Sequence, residues 1–192
     1  MKRIFLIGDS IRIGYDSYVR ALLEDRAQLY WPEDNARFVQ YTLRYAQEWA
    51  RKDCDTERID VVHWNNGLWD VLHLMDDGTP QTPPDEYRRC LARIARRLKR
   101  IFPNARIVFA LTTSVVEERM APHFHRYNAE IEAYNAAARE VMAQEGIAVN
   151  DLYAVSAALP LNWHAPDGTH FTEEGYRALA EAVAKALEPY LD

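Results

Sequence analysis

Residues 4–10 read Ile-Phe-Leu-Ile-Gly-Asp-Ser, and this stretch carries the fold prediction. A continuous run of four apolar residues is typical of a strand that is buried on both faces, as in a parallel sheet. Gly8 permits a tight backbone turn at the end of the run, and the apolar residues at positions 19, 22 and 23 have helical spacing. We therefore predict a buried first strand that passes directly into a helix near Ser10.

The same alternation continues along the chain. Further strands are predicted at residues 29–31, 59–64, 106–111 and 147–149, and amphipathic helices at residues 38–49, 87–101, 127–141 and 176–187, the last with Thr172 as its N-cap. The polar stretch from residue 65 to residue 84 is interpreted as a loop. Strands alternating with helices predict an α/β fold, with a parallel sheet covered by helices on both faces. The 192 residues fit one domain, residues 1–192, with functional groups expected at the carboxyl ends of the strands.

Composition and charge narrow the classes of function. Hydrophobic residues make up 48% and charged residues 27%, as in a soluble globular protein, and the net charge is −6. This acidity argues against a general binder of nucleic acids or anionic membranes, which needs a basic face. The N-terminal apolar run is too short for a signal peptide, and no stretch approaches the ~20 apolar residues of a transmembrane helix, so a cytoplasmic location is expected. Cys54 and Cys90 are predicted to be reduced thiols.

Two short motifs at opposite ends of the chain carry the candidate chemistry. Ser10 is placed at the first turn of a helix, where free N–H groups and the helix dipole favour an alkoxide or an oxyanion. Residues 167–170 read Asp-Gly-Thr-His just before the last helix, so Asp167 can orient His170 across a glycine turn. Alone, Ser10 could be a helix cap and Asp167 a turn residue. Together the two motifs predict a serine nucleophile with a histidine base.

Gly8-Asp9-Ser10-Ile11 resembles the first sequence block of the SGNH (GDSL-like) hydrolases, and Asp167-Gly168-Thr169-His170-Phe171 resembles their last block. The resemblance spans nearly the whole chain. It implies a three-layer α/β/α sandwich with a five-stranded parallel sheet, a flavodoxin-like fold. It also implies a serine esterase in which Ser10 is the nucleophile, His170 the base and Asp167 its orienting partner. The Ser10 backbone N–H would be one oxyanion donor, and neither a cofactor nor a metal is required.

The middle blocks depart from the family pattern. In the second block, where a glycine N–H is usual, Ala36 is the expected oxyanion donor. The third block is usually Gly-x-Asn-Asp, but residues 67–70 read Gly-Leu-Trp-Asp, so Trp69 stands in the place of the asparagine. Asn66, with Asn65 as the alternative, is therefore the expected side-chain donor. Asn-Gly is also a common turn pair, which is the competing interpretation.

Aromatic residues in the predicted site loops bear on the substrate. Trp69 and Trp163 are candidate walls of the substrate site, because aromatic faces stack on sugar rings, and Asp9 is a further candidate for substrate contact. Core packing is the alternative for any tryptophan. The chain has no long apolar lid insertion of the kind expected of a long-chain lipase. We therefore expect a small-molecule ester with a short acyl group, acetyl first, with an acetylated sugar as one candidate.

Two other interpretations stay open. The chain could be a binding module or an inactive relative, in which the loop at residues 8–10 holds an anion without chemistry. The departures at positions 36 and 69 favour that alternative. His123, His125 and His164 could be metal ligands, but no accompanying carboxylate or thiol pattern supports such a site.

Overall fold

A computed structural model describes residues 1–75 and 77–191. Within them, seven strands follow in chain order: β1 (Lys2–Ile7), β2 (Ala27–Tyr30), β3 (Val61–Asn65), β4 (His73–Leu74), β5 (Arg106–Ala110), β6 (Phe124–His125) and β7 (Ala148–Asn150). The same residues form six α-helices: α1 (Ser10–Leu22), α2 (Val39–Asp53), α3 (Pro84–Ile101), α4 (Asn128–Glu145), α5 (Leu152–Ala157) and α6 (Glu173–Leu187). Short 3-10 helices lie at Thr56–Arg58, Glu117–Arg119, Leu161–Trp163 and Glu188–Tyr190.

Five of the strands form one parallel sheet in the order β2-β1-β3-β5-β7. Residues 4–7 of β1 are fully buried, because β1 lies inside the sheet and helices cover both faces. α1 packs against α6, whereas α2, α3 and α4 pack side by side. The prediction of an α/β fold with a five-stranded parallel sheet between helix layers is confirmed.

The predicted strands are present with their ends shifted by up to two residues, but two short strands and one short α-helix were not predicted. β4 and β6 form a separate antiparallel mini-sheet, in which His73 pairs with His125 and Leu74 with Phe124. β4 lies in the stretch interpreted as a loop. The third missed element is α5, which has six residues. Elements this short contain too few residues to show a periodicity.

The structure also describes a helix cap, the two cysteines and the character of the helices. Thr172 is the N-cap of α6, but its hydroxyl donates to the Glu174 carboxylate at 2.7 Å and makes no capping hydrogen bond. Cys54 and Cys90 are unpaired thiols. None of the helices in the described part of the chain is long and apolar enough to cross a membrane.

Candidate active site

The candidate nucleophile lies where the first strand meets the first helix. β1 passes through Gly8 into α1, of which Ser10 is the first residue. Asp9 caps this helix, because its Oδ1 accepts a hydrogen bond from the Ile11 N–H at 3.0 Å. A Cβ at position 8 would lie 2.0 Å from Asn65 Oδ1 on β3, so only glycine fits there. The close approach of β1 and β3 thus fixes the turn that presents Ser10 at the carboxyl edge of the sheet.

His170 and Asp167 reach Ser10 from the loop before α6. His170 Nε2 lies 2.9 Å from Ser10 Oγ, and His170 Nδ1 lies 2.6 Å from Asp167 Oδ2. Asp167 Oδ1 accepts hydrogen bonds from the backbone N–H groups of Thr169 and His170, each at 2.9 Å. The intervening Gly168 has a φ of 76°, which glycine adopts without strain. The fold therefore brings the three predicted residues together, although Ser10 and His170 are 160 positions apart in the chain.

Hydrogen bonds keep the Asp167 carboxylate ionised. Partial burial by itself would raise the pKa of this carboxyl, but the backbone N–H groups of His170 and Thr169 and the His170 ring together hold the pKa below its usual value. A charged acceptor beside Nδ1 favours the imidazole tautomer that carries its proton on Nδ1. Nε2 is then the acceptor that faces the Ser10 hydroxyl. This arrangement is that of a nucleophile with an adjacent general base.

Asp9 lies beneath the site and not in contact with solvent. It is 0% exposed, and its Oδ1 is used in the cap of α1, so the expectation that Asp9 contacts the substrate is wrong. Burial raises the pKa of the Asp9 carboxyl above its usual value, against the opposing effects of the Ile11 N–H, Asn65 and Arg126. Asp9 is therefore a buried helix cap with a weakened tendency to ionise.

The predicted backbone donor of the second block is already engaged. The Ala36 N–H donates to the Gly8 carbonyl at 3.0 Å, and Ala36 is 0% exposed. The next residue, Arg37, has a φ of 48°, and its N–H donates to Asn35 Oδ1 at 2.9 Å. The expectation for Ala36 is therefore wrong in this structure, because the loop closes onto the β1–α1 turn and uses the donor there.

The expectation for Asn66 is also wrong. Its Nδ2 donates to the Arg37 carbonyl and to Thr42 Oγ1, both at 2.9 Å, and its Oδ1 accepts from Trp64 Nε1 at 2.7 Å. Because both amide hydrogens are used, Asn66 holds the second-block loop against β3 and has no donor left for a substrate. The alternative, Asn65, lies beside the turn that carries Ser10 and stays a candidate donor.

Three partly exposed aromatic residues lie after β3, in β6 and before Asp167. Trp69, at the position where the family pattern has asparagine, is partly exposed, and its ring lies edge-on to that of Phe124 with 6.3 Å between the ring centres. Phe124 is 37% exposed, so the pair offers an open aromatic surface. Trp163 is partly exposed in the 3-10 helix that precedes Asp167. Trp64, by contrast, is fully buried in the core.

Arg126, which no sequence motif marks, lies in the same region. It follows β6 and is 2% exposed. Its Nε donates to the Leu68 carbonyl at 2.5 Å, and its Nη1 donates to Thr169 Oγ1 at 3.3 Å. The guanidinium therefore joins the loop that contains Trp69 to the loop that contains His170. A single arginine after a two-residue strand has no signature that a sequence pattern could reveal.

Two of the three histidines considered as metal ligands pack on aromatic rings. The ring of His125 packs on Tyr127 at 4.6 Å, and that of His164 packs on Phe171 at 4.9 Å. Across residues 1–75 and 77–191, no group of three His, Cys, Asp or Glu side chains is spaced to hold a metal ion.

Comparison with known proteins adds two findings. A sequence model of the GDSL-like Lipase/Acylhydrolase family matches residues 6–178. Among solved structures, a lipase/acylhydrolase from Enterococcus faecalis has a TM-score of 0.78 at 20% identity, covering 100% of this chain and 98% of that chain. The acetyl xylan esterase AlAXEase has a TM-score of 0.77 at 18% identity, covering 96% and 99%. Axe2, an acetylxylan esterase from Geobacillus stearothermophilus, has a TM-score of 0.73 at 17% identity, covering 97% and 94%. Comparison with curated protein sequences gives no match.

Proposed function

The chain belongs to the GDSL-like lipase/acylhydrolase family and acts on esters, and from this premise we propose that it hydrolyses short-chain acyl esters, acetyl esters first, through an acyl-enzyme on Ser10. The observation that carries the proposal is the continuous chain of contacts from Ser10 Oγ to His170 Nε2 at 2.9 Å and from His170 Nδ1 to Asp167 at 2.6 Å. Both distances lie in the hydrogen-bond range that base-assisted attack requires.

The proposed reaction has two halves. Ser10 Oγ attacks the ester carbonyl while its proton moves to His170 Nε2, and the bond to the alcohol then breaks as the alcohol takes that proton. A water molecule next gives a proton to His170 and attacks the acyl group, which releases the acid and restores the Ser10 hydroxyl. Asp167 stabilises the imidazolium in both halves. The Ser10 N–H, at the first turn of α1, is oriented to meet negative charge on the carbonyl oxygen.

The acyl and alcohol preferences rest on the surroundings of Ser10. Trp69, Phe124 and Trp163 are partly exposed and are the proposed walls of the substrate site. Flat aromatic faces suit a sugar ring better than a long flexible chain, because stacking matches ring to ring. Two proteins of the same fold are acetyl xylan esterases by name, which makes an acetylated carbohydrate the first substrate class to test.

The test is hydrolysis of p-nitrophenyl acetate, butyrate and octanoate by the wild type, Ser10→Ala and His170→Ala. We expect acetate to be turned over fastest, and kcat to fall by about 10³-fold or more in both variants. Ser17→Ala is the matched control, since Ser17 is an exposed serine on the same helix, and it should keep full activity. Unchanged turnover by Ser10→Ala would overturn the acyl-enzyme.

A covalent probe separates catalysis from binding alone. A serine-directed fluorophosphonate should label the wild type and Ser17→Ala, but not Ser10→Ala. The alternative of an inactive binding module predicts no label on any of the three proteins. Acetylated xylo-oligosaccharides, monitored by release of acetate, then test the carbohydrate preference.

A further inference from the structure

We propose that Arg126 supplies the side-chain donor of the oxyanion hole, in the place left by the asparagine that this family's third block usually provides. The inference rests on the proposed esterase reaction at Ser10. It assigns to a buried arginine outside every recognised sequence block a direct contact with the reacting carbonyl oxygen.

Of the donors expected besides Ser10, Ala36 and Asn66 are not free, and only Asn65 stays a candidate. The Ala36 N–H is bound to the Gly8 carbonyl, and both amide hydrogens of Asn66 are bound within the protein. Trp69 stands at the position of the usual asparagine, with its ring against Phe124. A tetrahedral intermediate at Ser10 would therefore have the Ser10 N–H and, of the expected side-chain donors, Asn65 alone, whose amide also acts on the buried Asp9 carboxyl. The loss of one such donor typically costs about 10²–10³-fold in kcat.

Arg126 is anchored at two of its nitrogen atoms. Its Nε binds the carbonyl of Leu68, the residue directly before Trp69, and its Nη1 binds the hydroxyl of Thr169, the residue directly before His170. The guanidinium thus lies between the loop that would have carried the asparagine and the loop that carries the base. Two anchors at different atoms fix the plane of the group, so its remaining N–H groups point in a set direction.

Part of the Arg126 guanidinium makes no hydrogen bond to the described residues. An arginine has five N–H donors, and the two anchors use Nε and Nη1. Nη2 of Arg126 has no hydrogen-bond partner among the described residues, and it is not among the fully enclosed polar atoms that lack a partner. Although Arg126 as a whole is 2% exposed, its Nη2 is not completely enclosed. It is a pre-oriented donor with an unused hydrogen-bonding capacity.

The positive charge of Arg126 also favours a contact with the oxyanion. Arg126 has no carboxylate within salt-bridge distance in the described part of the chain. Two acids, Asp9 and Asp167, act on the pKa of Arg126 through their charge. Burial raises the pKa of the Asp9 carboxyl, and Asp167 is hydrogen-bonded to His170. Burial lowers the pKa of Arg126 to about 10, so the group keeps its proton at neutral pH. An unpaired cation in a protein interior stabilises an oxyanion more than a neutral carbonyl, so the benefit should appear in the chemical step.

The test compares Arg126→Ala and Arg126→Lys with the wild type on p-nitrophenyl acetate. We expect kcat to fall by about 10²–10³-fold in Arg126→Ala, with KM within about threefold of the wild type. Arg126→Lys should keep the charge but lose the two-point anchoring, and should fall between the two. Inhibition by a boronic acid, which forms an anionic tetrahedral adduct with serine, should weaken in parallel with kcat. Millimolar methylguanidinium should restore part of the activity of Arg126→Ala, because that variant leaves a space of the right shape.

The matched control is Arg119→Ala. Arg119 Nη1 donates to the carbonyls of His164 and Ala165 at 2.8 Å and 3.0 Å, so it also holds the loop that carries the base. Arg119 has no proposed contact with the oxyanion. Its loss should loosen the loop without selective weakening of the boronic acid and without rescue by methylguanidinium. Thermal unfolding of each variant reports whether the protein is folded, and Arg126→Lys carries the test if Arg126→Ala is not.

Three results would overturn the inference. A kcat within threefold of the wild type in both Arg126 variants would exclude a role in the chemical step. Equal losses in Arg126→Ala and Arg119→Ala, without rescue, would show a loop-holding role only. A change confined to KM for esters with an extra carboxylate would show a site for anionic substrates. In each case, Ser10-dependent turnover by the wild type would leave the proposed function standing, whereas its absence would refute the function itself.

Discussion

Replacing Asp167 by asparagine should abolish activity while leaving the protein almost as stable as before. Asp167 Oδ1 is held by two backbone N–H groups, those of Thr169 and His170, whereas Oδ2 faces His170 Nδ1. In Asp167→Asn, the backbone N–H groups still require the oxygen, so the new NH2 group must face Nδ1. Nδ1 then has to accept a hydrogen bond, and the ring proton moves to Nε2. With a proton on Nε2, His170 cannot take the proton of Ser10.

The two magnitudes follow from the same geometry. A wrong imidazole tautomer costs about 10⁴-fold in kcat in enzymes of this kind, which is about 5.5 kcal/mol at 1.36 kcal/mol per tenfold. The side chains of His170 and Asp167 are 38% and 53% exposed, so the hydrogen bond between them contributes less than about 1 kcal/mol to the free energy of unfolding. The two backbone hydrogen bonds survive in Asp167→Asn. Asp167→Ala should lose them as well, at a further cost of about 1–2 kcal/mol.

Two measurements are made on the wild type, Asp167→Asn and Asp167→Ala: kcat on p-nitrophenyl acetate, and the free energy of unfolding in urea. We expect both variants to be nearly inactive but to differ in their free energy of unfolding. If Asp167→Asn kept more than a tenth of the wild-type kcat, Asp167 would not be setting the tautomer of His170. If both variants lost the same stability, Oδ1 would not be holding the loop.

Three further predictions concern the supports of the site. Gly8→Ala should lower kcat and should lower the free energy of unfolding, measured in urea, by about 1–3 kcal/mol. The new Cβ would lie 2.0 Å from Asn65 Oδ1 and 2.5 Å from Arg12 Cβ. A loss under about 0.5 kcal/mol would mean that the turn relaxes freely. Arg12→Met should lower the free energy of unfolding by about 3–5 kcal/mol, because it leaves the largely buried Asp16 carboxylate without its partner at 2.8 Å. The double variant Arg12→Met with Asp16→Leu should recover part of that stability. Burial raises the pKa of Asp70 to about 7, so the folded state holds a proton that the unfolded chain releases above pH 4. The wild type should therefore lose stability between about pH 4 and pH 7, by at most about 1.4 kcal/mol per pH unit, and Asp70→Asn should flatten that slope; equal slopes would contradict it.

The parts of the molecule that sequence predicts well are those decided by near neighbours. The apolar run at residues 4–7 and the glycine after it specify a buried strand and a turn without any knowledge of the rest of the chain. Asp167 and His170 are three residues apart and meet across one glycine turn. Their pairing with Ser10 needed only the rule that strand ends of a parallel sheet share one edge.

The errors at Ala36 and Asn66 have a common cause. Each residue type is able to donate a hydrogen bond, but whether the donor is free depends on groups far away in the chain. The Gly8 carbonyl takes the Ala36 N–H, and the Arg37 carbonyl and Thr42 hydroxyl take the amide of Asn66. No local pattern contains this information. For the same reason Arg126 was missed, since its importance comes from anchors at positions 68 and 169.

The contact between Ser10 and His170 spans 160 positions, and it makes the chain suited to complementation. A cut at the exposed residues 77–79 would leave the serine on one fragment and the histidine with its aspartate on the other. Neither fragment alone holds a complete proton path, so background hydrolysis should be negligible. The central sheet would also be divided, between β3 and β5, so the two pieces would have to reassemble along a buried strand pair before any ester is cleaved. Colour from a chromogenic acetate would then report that two fused proteins have come together.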